Sequence, residues 1–127
     1  MKQEIAKIWV DALRSGEYTQ GRTCLKSTSG DHCCLGVLCE LYDKNNEEKL
    51  SKKELDDMVF FGGFARLLPA EVMEWAGLRW SDGSIDWEIR NDYVFGHTTN
   101  ESLASLNDGG NSFHAIANII EQNVEAL

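Results

Sequence analysis

The 127-residue chain lacks several features that mark specialised classes of protein. A helix needs about 20 apolar residues to cross a bilayer, and no apolar run here approaches that length. The chain begins with Lys2, Gln3 and Glu4 and leads into an amphipathic pattern, without the apolar stretch of an export signal. It has one proline and no repeat, linker or low-complexity tract. We therefore expect a single globular domain over 1–127, in the cytoplasm and away from membranes.

Basic residues are also scarce. Twelve Lys and Arg residues stand against 21 Asp and Glu residues, which gives a net charge of −9. Residues 70–127 hold ten acidic and two basic residues, a net charge of −8. Because such a surface repels phosphate, direct binding to duplex nucleic acid is not expected. The same charge would attract a basic protein surface.

Cysteines are few and are not spaced for a metal. The four are Cys24, Cys33, Cys34 and Cys39. A structural zinc site needs two pairs of ligands, each pair two to four residues apart. Cys34 and Cys39 lie five apart on one predicted helix, while His97 and His114 are isolated. We predict free thiols, no metal site and no cofactor.

The apolar residues predict an α+β fold built around a central helix at about 33–43. Leu35 and Leu38 line one side of this helix, and Val37 and Leu41 line another. A helix that is apolar on every side must be surrounded by other elements.

Other predicted helices and strands would pack around this helix. Apolar periodicity predicts helices at 2–15, 69–76 and 100–107 and a last helix that follows Ser112. The capping-box pattern from Ser51 to Glu54 predicts a short helix ending near Met58. Alternating apolar residues predict a small antiparallel hairpin at about 84–96, and a short strand is expected at 23–27.

Several polar residues precede these helices and are candidate N-caps. We expect Asp31 or His32 to cap the central helix. Thr99 or Asn100 would cap the helix at 100–107.

A cysteine nucleophile is one catalytic possibility. Cys33 or Cys34 would start the central helix, where the helix dipole favours a thiolate. His32 or His114 would then act as base, with a polar orienter at 107–108. Such residues are common, and the plainer interpretation is that the cysteines pack the core.

Binding residues are better candidates than catalytic ones. Trp80 follows a predicted helix end, in a polar loop with Asp82, and exposed tryptophan is a favoured anchor of binding surfaces. Arg22, in a short polar loop, could hold an anion. Asn107 and Asp108 begin a glycine-rich loop that could line a pocket. We take these five residues as the candidate binding set.

Four blocks of sequence together resemble a family of small proteins encoded by bacteriophages and prophages. The blocks are Ala-Leu-Arg-Ser-Gly-Glu-Tyr-Thr-Gln-Gly at 12–21, Cys-Cys-Leu-Gly-Val-Leu-Cys at 33–39, Leu-Pro with Trp-Ala-Gly-Leu at 68–78, and Leu-Asn-Asp with Ser-Phe and Ile-Ala at 106–117. The resemblance implies a viral accessory protein that acts in the bacterial cytoplasm and modifies or blocks a host system, such as host defence. It carries over no catalytic motif.

Three functional hypotheses follow. The first is a non-enzymatic phage accessory protein that inhibits a host protein, such as defence or nucleic-acid-binding machinery, through its acidic surface. The second is a binder that sequesters a nucleotide-like molecule, with Trp80, Arg22 and the loop at 107–110 lining a pocket between protomers of a homo-oligomer. The third is a cysteine-dependent enzyme.

Overall fold

The computed structural model describes residues 1–86 and 101–127, and within them the chain is an α+β protein of helices with one small hairpin. The elements are α1 (Gln3–Arg14), α2 (Cys34–Asn45), β1 (Lys52–Leu55), β2 (Met58–Phe61), α3 (Ala70–Ala76), α4 (Leu103–Asp108) and α5 (Phe113–Gln122), followed by a 3-10 turn (Val124–Ala126). The predicted fold class is confirmed.

The central helix is α2, as predicted, and its burial explains its apolar sequence. Leu35, Val37 and Leu38 are fully buried. α1 packs beside it, and the buried Trp9 donates a hydrogen bond from Nε1 to the carbonyl of Cys34 at 2.9 Å. This carbonyl lies in the first turn of α2, so the bond fixes the start of the helix against α1.

α1 and α5 form the other main helical contact. Each has one apolar stripe, and Leu13 of α1 and Ile116 and Ile120 of α5 are buried. At the rim of this contact Arg14 Nη1 lies 3.0 Å from Glu121 Oε2. Both stripes could be predicted from the sequence, because the apolar residues recur at helical spacing without a break.

The chain before α2 runs very close to the helix backbone. A Cβ added to Gly36 would lie 1.8 Å from the carbonyl oxygen of Leu25. Leu25 accepts a hydrogen bond from Cys33 N at 3.1 Å and donates one to the carbonyl of Ala65 at 2.7 Å. The predicted strand at 23–27 is wrong, because its residues form only isolated bridges, such as Ser27 with Met58.

The predicted helix from Ser51 to Met58 is also wrong, because this segment forms most of a β-hairpin. β1 and β2 pair antiparallel, and the loop residues Asp56 and Asp57 have φ of 53° and 63°. Two successive left-handed residues are typical of a type I′ turn, whose twist suits a hairpin.

The hairpin predicted at about 84–96 falls mostly outside the described residues, which stop at 86 and resume at 101. Ser84 makes an isolated antiparallel bridge with Ser102. Ser102, rather than Thr99 or Asn100, caps α4, and its side chain accepts a hydrogen bond from Ser105 N.

The caps of α2 and α3 also differ slightly from prediction. Cys33, rather than Asp31 or His32, caps α2, and Pro69 is the N-cap of α3 instead of its first residue. Gly77 ends α3 in the left-handed conformation at φ 73°, which glycine adopts without strain.

Both ends of the chain are fastened to the helical core. The amino group of Met1 donates to the carbonyl of Val124 at 3.1 Å. Lys2 N donates to the carbonyl of Ala76, and Arg79 N donates to that of Leu127. None of the helices described for this chain has both the length and the apolar character needed to cross a membrane.

Candidate functional site

Three separate parts of the chain meet in what we call the junction, formed by residues 20–23, the start of α2 and residues 107–113. Asn107 lies at its centre and is fully buried. Its Oδ1 accepts hydrogen bonds from Cys34 N at 3.1 Å and Gln20 Nε2 at 2.9 Å. Its Nδ2 donates to the carbonyl of Gly21 at 2.8 Å and lies 3.4 Å from Asp108 Oδ1. Each hydrogen-bonding position of this amide therefore has a protein partner.

Gln20 extends the junction to α5. Its Nε2 also donates to the carbonyl of Asn111 at 2.7 Å, and its Oε1 accepts from Phe113 N at 3.1 Å. Phe113 is the first residue of α5, where backbone N–H groups have no partner inside the helix. Gln20 and Asn107 thus tie the chain together, and a ligand would have to displace these bonds to reach either amide.

The exposed rim of the junction brings together Arg22 and Asp108, two of the predicted site residues. Asp108 Oδ1 accepts a hydrogen bond from Thr23 N at 2.8 Å. Thr23 has φ of 70°, which is costly for a β-branched residue. Arg22 extends over the glycine loop, since a Cβ added to Gly110 would lie 3.4 Å from Arg22 Nη2. The rim therefore presents the Arg22 guanidinium and the Asp108 carboxylate on either side of the strained residue Thr23.

The cysteines of α2 do not have the properties of nucleophiles. Burial raises the pKa of Cys33 to about 11, even though its sulfur accepts a hydrogen bond from Gly36 N. Burial also raises the pKa of the Cys34 thiol well above its usual range. The expected effect of the helix dipole is thus outweighed by the loss of hydration. Such thiols are protonated near neutral pH and act as core packing.

The two histidines offered as bases lie in different settings. His32 is buried, with Nε2 3.5 Å from Oε2 of Glu40 and its ring edge-on to Tyr18. The close approach of the His32 ring, followed by the charge of Lys26, lowers the pKa of Glu40 despite its partial burial. His114 is exposed in the first turn of α5. His32 is therefore engaged with a carboxylate and a phenol ring.

Across 1–86 and 101–127, no three His, Cys, Asp or Glu side chains are grouped so that they could hold an ion.

Trp80 and Asp82 lie apart from the junction rim. Asp82 Oδ1 accepts hydrogen bonds from N and Oγ of Ser84, so this carboxylate shapes its own turn. The Asp82 carbonyl accepts from Ala104 N, at the start of α4, whereas Asp108 ends that helix. The rise along α4 is about 8 Å. Its two ends therefore present two different surfaces.

The Trp80 surface, which we define by Trp80 and Leu67, consists of two large apolar residues that are exposed. The side chains are 56% and 42% exposed. Leu67 is followed by Leu68, and Trp80 is followed by Ser81. Leu68 N donates a hydrogen bond to the carbonyl of Ser81 at 2.9 Å. The bond holds the two loops side by side. Sequence reasoning missed Leu67, because it precedes the buried Leu68 and nothing local distinguishes the two leucines.

The sequence matches a known protein family. The chain belongs to a family described as Domain of unknown function (DUF8296), whose profile matches residues 1–124. No curated protein and no solved structure gives a significant match.

Proposed function

We propose that this protein is a non-enzymatic accessory protein of a bacteriophage that binds and inhibits a host protein in the bacterial cytoplasm. The observation that carries the proposal is the Trp80 surface, an exposed tryptophan and leucine on adjoining loops. Tryptophan is enriched among residues that dominate binding energy, because its large ring fills a pocket on the partner.

Charge indicates the kind of host surface. Trp80 lies in the acidic part of the chain, since residues 70–127 carry a net charge of −8. Glu71 and Glu74 are exposed on α3, just before the loop that carries Trp80. A partner with a tryptophan-sized pocket bordered by Lys or Arg would match both features. A groove that normally binds nucleic acid has this character.

The properties of the thiols favour binding over catalysis. A nucleophile needs a thiolate, and burial raises the pKa of both Cys33 and Cys34. A nucleotide-sequestering role requires Trp80 and Arg22 to line one pocket, whereas within one chain they lie near opposite ends of α4, so this role depends on a second protomer.

Affinity purification from bacterial host cells tests the proposal when it is run with matched variants. Wild-type protein should retain a host protein at low salt and release it at high salt, because screening weakens charge complementarity. Trp80→Ala should weaken binding of the purified partner by about 30-fold, the effect of a typical hot spot. Phe64→Ser is the control, since Phe64 is 48% exposed but belongs to the turn that follows the hairpin.

The proposal fails if no host protein is retained in a salt-dependent way. It also fails if Trp80→Ala and Phe64→Ser weaken the purified complex equally, since that would indicate unspecific apolar adhesion. The cellular counterpart is a host activity that is lost on expression of wild-type protein and kept on expression of Trp80→Ala.

A further inference from the structure

A second surface, separate from the Trp80 surface, lies at the edge of the hairpin. Within the described residues β1 is an edge strand, paired only with β2, and its four residues are exposed. Gly62 N donates to the carbonyl of Ser51 at 2.8 Å. Hydrogen-bonded pairs alternate along an antiparallel ladder, so Lys53 also bonds toward β2. The N–H and C=O groups of Lys52 and Glu54 consequently point away from the sheet.

An apolar groove runs beside this edge. It has a volume of about 450 Å³ and is lined by Ser51, Lys52, Lys53, Leu55, Phe60 and Gly63. Phe60 pairs with Lys53 on the outer face of the hairpin, opposite the buried Phe61. A Cβ added to Gly63 would meet no atom within 4 Å, so the groove is open there. We call this feature the β1 groove.

The two lysines of the groove differ in their partners. Lys52 binds Asp43, and its Nζ lies 5.5 Å from the centre of the Phe61 ring. Lys53 has no ion pair among the residues that the structure describes. An unpaired ammonium group beside an apolar groove favours a carboxylate next to an apolar side chain.

We propose that the β1 groove binds an extended segment of another protein as an additional antiparallel strand. Main-chain bonds to Lys52 and Glu54 would supply the pairing, and side chains would supply the selectivity. Opposite Leu55 the segment needs an apolar residue, opposite Glu54 a basic residue, and opposite Lys53 and Lys52 acidic residues. Read from its N-terminus, the preferred segment is apolar, basic, acidic, acidic.

Charge argues against a second copy of this chain as the occupant. A two-fold arrangement that pairs outward groups of β1 places the axis at Lys52, Lys53 or Glu54, and the groups of Lys52 and Glu54 pair with each other when it passes through Lys53. The two Lys53 side chains would then lie opposite each other at a close, non-hydrogen-bonded position. Like charges placed this way are unfavourable. A foreign segment with a carboxylate at that place removes the conflict.

The test uses the peptide acetyl-Thr-Val-Lys-Glu-Glu-Thr-amide and the full-length protein labelled with nitrogen-15. We expect saturable shifts of the Lys52 and Glu54 amide signals. N-methylation of the peptide lysine, which pairs with Glu54, should weaken binding about threefold to tenfold because it removes a ladder bond. N-methylation of the first glutamate is the matched control, since its N–H points away from β1.

A charge swap tests the side-chain assignment. Lys53→Glu should weaken binding about threefold to tenfold, and replacing the first peptide glutamate by lysine should restore it. The proposal is overturned if no amide shifts at millimolar peptide, if both N-methylated peptides bind equally, or if the swap fails to restore binding. The lysines would then serve only to protect the edge from pairing. None of these outcomes bears on the Trp80 surface, so the two proposals can fail separately.

Discussion

We expect Gly36→Ala to destabilise the protein, because the added Cβ would lie 1.8 Å from the carbonyl oxygen and 2.6 Å from the carbonyl carbon of Leu25. Both atoms belong to backbone, so no side-chain rotation can relieve the overlap. At an ordinary position inside a helix the same change stabilises a protein by about 1 kcal/mol. The sign should reverse here because α2 and the Leu25 segment must separate.

The magnitude follows from what this separation disturbs. Leu25 makes two backbone hydrogen bonds, with Cys33 and Ala65, and each is worth about 1 kcal/mol. Overpacking of a fully buried region costs a further 1 to 3 kcal/mol, roughly. The higher helix propensity of alanine offsets about 1 kcal/mol of this cost, so the net loss of stability is about 2 to 4 kcal/mol. For a chain of this length the Tm should fall by about 8 to 15 °C.

Urea and thermal unfolding, followed by circular dichroism, measure this loss. Gly109→Ala is the control, because Gly109 has φ of −77°, which alanine can adopt. An added Cβ there would lie 3.1 Å from its nearest atom, Ser105 O, a much milder contact than the 1.8 Å at Gly36. A Gly36→Ala protein as stable as the wild type, or more stable, would refute the close approach of α2 to Leu25.

Three further changes probe other parts of the fold. Asn107→Ala should cost about 3 kcal/mol in urea unfolding, because buried donors and an acceptor lose their partner, and a loss below about 1 kcal/mol would contradict the role assigned to this amide. Asp56→Asn with Asp57→Gly should stabilise the protein by about 0.5 to 1 kcal/mol, since both positions have positive φ, and an unchanged Tm would contradict the turn assignment. The His32 ring beside Glu40 lowers the pKa of this carboxyl in the folded protein below its unfolded value of about 4.3. The stability that Glu40 contributes is therefore present above that pH and is lost as the pH falls through the folded pKa. Urea midpoints from pH 7 to 3 should therefore show wild type losing more stability than Glu40→Gln, and parallel curves would contradict this.

The helices that the sequence predicted best are those whose pattern and packing agree. In α1 and α5 an apolar stripe has one possible direction, toward the core, and Trp9 and Ile120 lie there fully buried. In α2 the absence of a polar face was itself the signal, because such a helix can only be central. These predictions needed no knowledge of the partner segments.

The hairpin at 52–61 was missed because a local signal competed with a long-range one. Ser51 and Glu54 have the spacing of a capping box, which favours a helix start. The alternating burial from Met58 to Phe61 places Val59 and Phe61 in the core, and a hairpin achieves this with a two-residue turn. Burial of these apolar side chains outweighs a cap contribution of about 1 kcal/mol.

The candidate site was predictable only in part. Arg22 and Asp108 were both singled out, and the structure brings them to one rim. The roles of Gln20 and Asn107 could not be predicted, because the hydrogen bond that joins them spans 87 positions of sequence. No local pattern reports a contact of that separation.

The blocks of sequence that resemble phage proteins coincide with the residues that build the junction. Gln20 and Asn107 join two blocks, and Gly36 in a third permits the close approach of α2 to Leu25. These residues have complete structural reasons for their identity. The identity of these residues is therefore explained by how the chain folds. The two proposed binding surfaces depend instead on exposed residues outside the blocks, Trp80 and Lys53.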